Sequence, residues 1–298
     1  MNIGAHISAS GGVQNAPINA AHYGAECYQF FSRSPQGGPA PVLTPQIIKE
    51  FKKNNKEHNL KNFYIHAPYY INLASSQNKI YYSSISVLRE ELTRGTKLGA
   101  KGMMFHIGSA KDLGQTEAIK KVIRAIKEIT KDYQGSCQPL LEISAGAGLI
   151  IGNNFQEIAE IIKEVESRKP ARNASASEAG GSSVVGRLGV CFDTAHAFES
   201  GYDLRDGKAV QKTFSQFHKL IGLKRLKVIH ANDSKTDLSS HSDRHEHLGY
   251  GKIGLAGFSA IIKYFKAKKI PLDFIMETPT DKGVLKDIKL LKKLRDTL

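Results

Sequence analysis

The chain has 298 residues, of which 41% are hydrophobic, enough for one large domain or two small ones. A net charge of +14, from 42 Lys and Arg against 28 Asp and Glu, favours a polyanionic partner such as nucleic acid, although charge alone fits an ordinary basic protein equally well. Three cysteines without a CxxC pair exclude a disulfide scaffold and a cysteine zinc finger. No signal peptide and no apolar run of about 20 residues is recognisable, so we expect a cytoplasmic protein without a membrane partner.

Eight short, apolar, β-rich segments alternate with helical patterns along the chain. In order they are NIGAHIS, ECYQFFS, NFYIHA, GMMFHIG, PLLEIS, LGVCFDTAH, LKVIHAND and DFIMET. The stretches between them carry apolar residues three and four positions apart, as at Tyr81, Ile85, Leu88 and Leu92. Strands that alternate with helices pair in parallel, and eight such units close a barrel, so we predict a single α/β domain over residues 1–298, a (β/α)8 TIM barrel. An open, doubly wound sheet remains the alternative.

One segment interrupts this regular alternation. Residues 167–186, SRKPARNASASEAGGSSVVG, are rich in serine, alanine and glycine and contain few large apolar side chains. The strand and helix patterns resume directly after it in the same style. We therefore predict a flexible surface insertion here and not a linker between two domains.

Ionisable side chains are concentrated at the carboxyl ends of the eight predicted strands and in the loop after the seventh. They are His66, His106, Glu142, Asp193, His196, His230, Asp243, His245 and Glu277. Because the carboxyl ends of barrel strands converge on one mouth, we expect these nine side chains to meet there. Any one of them alone would more often be a structural residue, but burying nine together is unfavourable unless cations neutralise them. Imidazole and carboxylate ligands favour zinc or a similar divalent ion, and nine exceed the needs of one ion.

Several motifs give the chain a specific family resemblance. The segments GAHISASGG, FHIGS, LEISAGAG, GVCFDTAHAFESGYD, HANDSK, SDRHEHLGYGKIG and IMETP resemble those of the endonuclease IV family of abasic-site endonucleases, from Ile3 to about Pro279. The resemblance implies a TIM barrel with three zinc ions. It divides the nine residues into three ligand sets: His66, His106 and Glu142; Glu142, Asp193, His230 and Glu277; and His196, Asp243 and His245.

The same resemblance implies a reaction. It is the zinc-dependent hydrolysis of the phosphodiester bond 5′ to an abasic site in duplex DNA during base excision repair, leaving a 3′-hydroxyl and a 5′-deoxyribose phosphate. Glu142 and Glu277 would be the catalytic carboxylates, with Glu277 both binding metal and orienting the nucleophile. A monomer is expected, and trimming of 3′ ends is left open.

The residues that would contact DNA are less well defined by the sequence. Tyr69 and Tyr70 lie where the family places residues that enter the minor groove, and ordinary packing beside a strand end is an equal alternative. Gln36 occupies a position where the family often has an arginine wedge, and glutamine lacks the charge and the planar stacking surface of arginine. Arg33 is the candidate to compensate.

Two further patterns bear on rival functions. Residues 249–254, GYGKIG, match the GxGxxG pattern but follow a charged segment and not a strand, so we expect a tight turn and no nucleotide cofactor. A metal-dependent barrel isomerase or epimerase acting on sugars is the rival function. The DRH segment and the positive charge argue against that rival, and the complete ligand set argues against a non-catalytic binder of damaged DNA.

Overall fold

The computed structural model describes residues 1–167, 188–278 and 282–298. The insertion predicted at 167–186 therefore lies outside the described residues, apart from Ser167. None of the helices in the described parts of the chain is both long and apolar enough to span a bilayer.

Eight parallel strands close into a barrel. They are β1 (Asn2–His6), β2 (Cys27–Phe30), β3 (Asn62–His66), β4 (Gly102–Phe105), β5 (Gln138–Glu142), β6 (Gly189–Asp193), β7 (Leu226–His230) and β10 (Asp273–Met276). The strands β8 (Asp233–Ser234) and β9 (His245–Glu246) form a separate two-stranded sheet. The order around the barrel is β1-β10-β7-β6-β5-β4-β3-β2. Each barrel strand corresponds to one of the eight predicted segments. The TIM barrel prediction is confirmed, and the open sheet is excluded because β1 pairs with both β2 and β10.

Helices cover the outside of the barrel. They are α1 (Ala16–His22), α2 (Pro45–Glu57), α3 (Asn78–Leu98), α4 (Gln115–Thr130), α5 (Phe155–Glu166), α7 (Gly207–Leu220), α8 (Gly254–Ala267) and α9 (Lys282–Thr297). The short helix α6 (Thr194–Glu199) instead follows β6 directly, at the carboxyl-terminal mouth of the barrel. Helix α2 begins at a capped turn, because the Thr44 side chain accepts a hydrogen bond from the Ile47 N–H and Pro45 occupies the first turn.

The barrel interior is filled by one layer of buried side chains drawn from seven strands. These are Cys27, Tyr64, Met104, Leu140, Cys191, Val228 and Ile275. Side chains along a strand alternate between its two faces, so the next inward position on each strand lies two residues further on. Those positions are Gln29, His66, His106, Glu142, Asp193, His230 and Glu277. A polar ring thus lies directly above an apolar floor, at the carboxyl-terminal mouth of the barrel.

Candidate metal centre

The first predicted ligand set is assembled at the ends of three neighbouring strands. His66 and Glu142 are the last residues of β3 and β5, and His106 directly follows β4. The Glu142 Oε2 atom lies 3.1 Å from His66 Nε2 and 3.3 Å from His106 Nε2. The His66 Nδ1 atom is 2.7 Å from the Ala67 carbonyl oxygen, to which it can only donate, so the neutral form of the ring has its lone pair on Nε2, facing the carboxylate. One ligand atom from each of the three residues lies within 4.8 Å of the others.

The second set shares Glu142 with the first. Ligand atoms of Glu142, Asp193, His230 and Glu277 all lie within 4.8 Å of one another. The His230 Nδ1 atom is 2.9 Å from Glu142 Oε1, 3.0 Å from Glu277 Oε2 and 3.7 Å from Asp193 Oδ2. The other Asp193 oxygen, Oδ1, accepts a hydrogen bond from the His196 N–H at the start of α6, which directs Oδ2 towards the cluster.

The third set combines α6 with the long segment after β7. His196 Nε2 lies 3.3 Å from Asp243 Oδ1 and 3.3 Å from His245 Nε2, and those two partner atoms are 3.7 Å apart. Because His196 Nδ1 donates to the Ile143 carbonyl, the neutral His196 ring has a lone pair at Nε2. Two imidazole nitrogens and a carboxylate oxygen therefore converge on one point.

The carboxylates and imidazoles of this cluster shift the pKa values of one another. Burial opposes the charge of Glu142, yet the facing imidazoles of His230 and His106 hold the pKa of that carboxyl well below its usual value. Burial likewise opposes the charge of His196, but Asp193 and Asp243 raise its pKa well above the usual value. The hydrogen bond with His196 lowers the pKa of Asp243 to about 2.

The donor set fits divalent cations. Glu142, Asp193 and His230 are almost completely buried, and the carboxylates of Glu142, Asp193 and Glu277 lie around the same imidazole nitrogen. Several buried carboxylates in one place repel one another strongly unless positive charge lies among them. Imidazole nitrogen with carboxylate oxygen suits zinc, and a carboxylate with one oxygen near each set can bridge two ions.

A second layer of polar side chains holds these residues, and the sequence interpretation missed it. Asn232 donates from Nδ2 to Asp193 Oδ2 at 2.6 Å and accepts the Glu277 N–H at Oδ1 at 2.8 Å. Gln29 contacts His230 and Glu277 from β2. The signal for Gln29 was present, because an amide in the apolar strand CYQF falls in the same inward register as the ligands.

Two buried carboxylates shape the segment that carries Asp243 and His245. The Asp233 carboxylate accepts backbone N–H groups along residues 249–254, including Gly249 at 2.9 Å and Ile253 at 2.9 Å. Glycine is required at 251, because a Cβ there would lie 2.5 Å from Asp233 Oδ1. The GYGKIG segment is thus a tight turn around Asp233, as predicted.

The second of these carboxylates, Glu199 at the end of α6, holds the hairpin formed by β8 (Asp233–Ser234) and β9 (His245–Glu246). Its Oε1 atom accepts hydrogen bonds from Ser234 Oγ at 2.8 Å and from the Arg244 N–H at 3.3 Å. The hairpin places His245 opposite His196.

The predicted DNA-contact residues are divided between exposed and buried positions. Tyr69 is 57% exposed, and its ring centroid lies 5.5 Å from that of His66 and 5.9 Å from that of His106, so it borders the candidate metal centre. Tyr70 is also exposed. Gln36 is exposed in the neighbouring loop after β2.

Arg33 requires a correction. Its side chain is buried, donates from Nε to Glu91 Oε1 at 2.7 Å, and also pairs with Glu90. Both partners are on α3, which fixes the guanidinium inside the protein. A buried, paired arginine is not available to a DNA backbone, so the prediction that Arg33 contacts DNA is wrong for this structure.

Comparisons with known proteins agree with this architecture. A family model described as xylose isomerase-like TIM barrel matches residues 18–294. A protein named probable endonuclease 4 from Nitrosopumilus maritimus is 38% identical over 283 residues, which cover 94% of both chains. The crystal structure of endonuclease IV from Thermus thermophilus aligns with a TM-score of 0.82 at 25% identity, covering 100% of both chains.

A D-tagatose 3-epimerase-like protein aligns with a TM-score of 0.69 at 18% identity, covering 100% of this chain and 98% of that one, a likeness that shows the fold alone. Sugar epimerases and endonucleases therefore share this barrel, and the barrel by itself does not distinguish them. Identity distinguishes them, because 38% over nearly the whole of both chains places this chain in the endonuclease IV family.

Proposed function

We propose that this protein is a zinc-dependent endodeoxyribonuclease of base excision repair. It hydrolyses the phosphodiester bond 5′ to an abasic site in duplex DNA and leaves a 3′-hydroxyl and a 5′-deoxyribose phosphate. The observation that carries the proposal is the convergence of nine ligand residues in three sets on one barrel mouth. Family membership supports the choice of DNA over sugar as substrate.

We assign one zinc ion to each ligand set. The sets are His66, His106 and Glu142; Glu142, Asp193, His230 and Glu277; and His196, Asp243 and His245. Glu142 supports a shared position because its Oε2 faces the first set and its Oε1 faces the second. Asp243 is the most exposed of the nine, which leaves the third set open to a substrate phosphate.

The chemistry divides between metal and protein. Bound zinc supplies Lewis-acid activation of water and of the phosphodiester at neutral pH. Glu142 joins the first two sets, and Glu277, held by Gln29 and Asn232, orients the attacking water and receives its proton. The P–O3′ bond breaks as the water oxygen bonds to phosphorus, and the leaving 3′-oxygen takes up a proton from solvent to give the 3′-hydroxyl. The remaining ligands hold this geometry. Trimming of blocked 3′ ends would use the same site.

Lesion recognition belongs to the exposed residues beside the site. An abasic nucleotide has lost its base, so turning it out of the helix requires less unstacking than for an intact nucleotide. Tyr69, Tyr70 and Gln36 lie at the mouth and provide aromatic and amide surfaces to fill the gap. The net charge of +14 supports attraction to the phosphate backbone.

The test is a purified chain with its metal counted. A duplex with a single abasic site and an intact duplex of the same sequence are incubated with the native protein and with protein stripped by a chelator. We expect a nick 5′ to the lesion, by the metal-containing protein alone. Equal nicking of the intact duplex, or no nicking above the stripped protein, would overturn the proposal.

The rival function is tested in the same preparation. Turnover of aldoses or ketoses by the native protein without any incision would favour a sugar epimerase or isomerase. Size-exclusion chromatography tests the accompanying proposal that the chain is a monomer, and limited proteolysis tests the proposal that residues 1–298 form a single domain. We also propose a cytoplasmic location, which cell fractionation tests.

A further inference from the structure

Gln29 is the one member of the inward polar ring that is not a predicted metal ligand. It occupies β2 two residues after Cys27, in the register that places the other six members among the ligands. Its side chain is completely buried. A buried amide is unfavourable unless its N–H and C=O groups are hydrogen-bonded, so its partners indicate its role.

All the donors of this amide are used. The Nε2 atom donates to Glu277 Oε1 at 2.6 Å and lies 2.9 Å from His6 Nδ1. The Oε1 atom lies 2.8 Å from His230 Nε2. The orientation of the amide follows from chemistry, because Glu277 can only accept and therefore must face the NH2 group. The amide oxygen must then accept a hydrogen bond from the His230 Nε2–H group.

This contact fixes the tautomer of His230. With the proton on Nε2, the lone pair is on Nδ1, the atom that lies within 3.0 Å of oxygens of both Glu142 and Glu277. The same amide donates to Glu277 Oε1, whereas His230 lies next to the other carboxylate oxygen, Oε2. A metal ligand whose second nitrogen is hydrogen-bonded in this way is held in the correct tautomer and orientation.

We propose that Gln29 is a positioning residue that fixes the tautomer of His230 and the orientation of Glu277, and so sets the metal affinity of the second ligand set. The inference rests on the proposed zinc centre. Gln29 itself binds neither metal nor substrate. Its effect is exerted through two residues on different strands, β7 and β10, that it joins from β2.

The variant Gln29→Met tests this role, because methionine has similar length and no hydrogen-bonding amide. Zinc affinity is measured by competition with a chromophoric chelator. We expect three zinc equivalents in the native protein, and in Gln29→Met two of unchanged affinity and one weakened about 10- to 100-fold. Three equivalents of unchanged affinity in the variant would overturn the inference.

Asn55→Leu is the matched control. Asn55 is also a buried amide next to β2, but it accepts from the Tyr28 hydroxyl on the outer face and has no contact with a ligand residue among its hydrogen bonds. We expect a lower melting temperature and unchanged zinc affinity. An equal loss of zinc affinity in Asn55→Leu would attribute the Gln29 effect to general destabilisation and contradict the proposal.

A measurement on the unaltered protein keeps the inference testable whether or not the variant folds. In zinc-loaded protein with ¹⁵N-labelled histidine, we expect His230 to carry its proton on Nε2. A His230 ring without a proton on Nε2 would overturn the inference. Fewer than two zinc ions in the native protein would be a failure of the proposed function itself, visible without any variant.

Discussion

The two ends of this barrel both bury carboxylates, and they do so with different partners. At the amino-terminal end, Asp273 accepts hydrogen bonds from Asn2 Nδ2 at 2.6 Å, Asn62 Nδ2 at 2.8 Å and the Tyr64 hydroxyl at 2.8 Å. Each of these three donors is a neutral N–H or O–H group. The carboxylate is satisfied by the protein alone, and no cation is required.

At the carboxyl-terminal mouth, the carboxylates face one another and a set of imidazoles. Glu142, for example, lies within 3.3 Å of nitrogen atoms of His66, His106 and His230. In its neutral form, an imidazole that donates its other N–H elsewhere, as His66 does, presents a lone pair to the carboxylate. Buried carboxylates surrounded by neutral donors indicate structure, whereas carboxylates and imidazole lone pairs that converge indicate a cation site.

Among single substitutions, the largest expected effect comes from Glu142→Gln. The substitution keeps the shape of the side chain and removes the charge that the first two ligand sets share. We expect a folded protein whose incision of abasic DNA falls about 1000-fold or more. Steady-state incision assays and circular dichroism measure the two quantities, and near-native incision would remove Glu142 from the chemistry.

Removal of metal should change the stability of the protein as well as its incision of DNA. Ions that bind the folded chain and not the unfolded chain stabilise it, by about 2.7 kcal/mol for each ion present at 100 times its dissociation constant. We expect chelation to lower the melting temperature by roughly 6 °C or more and to abolish incision, with both restored by zinc. An unchanged melting temperature after complete chelation would mean that the carboxylates at the mouth, like Asp273 at the other end, need no cation for stability.

The pH dependence should differ between metal-free and zinc-loaded protein. In the metal-free protein, Asp193 and Asp243 raise the pKa of His196, so this ion-pair stabilisation is present below about pH 6.5 and is lost as the pH rises through the raised pKa. Zinc must displace the proton of His196 to bind there. As the pH rises towards the raised pKa of His196, the free energy by which zinc stabilises the fold should therefore increase by about 1.4 kcal/mol per pH unit for each proton displaced.

Thermal melts of both forms between pH 5 and 9 measure this difference. The carboxylate Asp243, with its pKa lowered to about 2, loses its stabilising contribution only as the pH falls below about 4, outside this interval. Stabilisation by zinc that is constant from pH 5 to 9 would contradict competition between zinc and protons for the imidazoles.

The smallest expected effect on activity comes from Asp273→Asn at the other end of the barrel. The amide retains the size of the side chain and removes the negative charge of a carboxylate that accepts hydrogen bonds from three neutral side chains. We expect a loss of about 1–3 kcal/mol in the free energy of unfolding, with zinc content and incision within about two-fold of native. Denaturant melts measure the free energy of unfolding, and metal analysis measures the zinc content. A loss of zinc in this variant would contradict the proposed difference between the two ends of the barrel.

Much of the fold and of the ligand set is predictable from sequence, because both depend on periodicity. Eight apolar runs separated by amphipathic helices predict the barrel, and inward register then predicts which polar residues meet. Asp233 and Glu199 are different. They accept hydrogen bonds from backbone N–H groups on loops, and the path of these loops cannot be predicted from the sequence. The hydrogen bonds that position the third ligand set are therefore not predictable from sequence.

Arg33 shows the opposite limitation. In the sequence it is a basic residue on a loop beside the expected site, which is typical of a DNA contact. Its partners Glu90 and Glu91 lie 57 and 58 residues away on α3, and nothing local indicates the pairing. Gln29 is hard to predict for another reason, because an amide is not a typical zinc ligand even though it lies in the same inward register as the ligands.

The most direct test is a zinc titration of metal-free protein followed by incision of a duplex with one abasic site. We expect incision to be absent without zinc and to rise until three zinc ions are bound per chain. Full incision by the metal-free protein, or a plateau at a single bound ion, would contradict the three-ion centre at the barrel mouth.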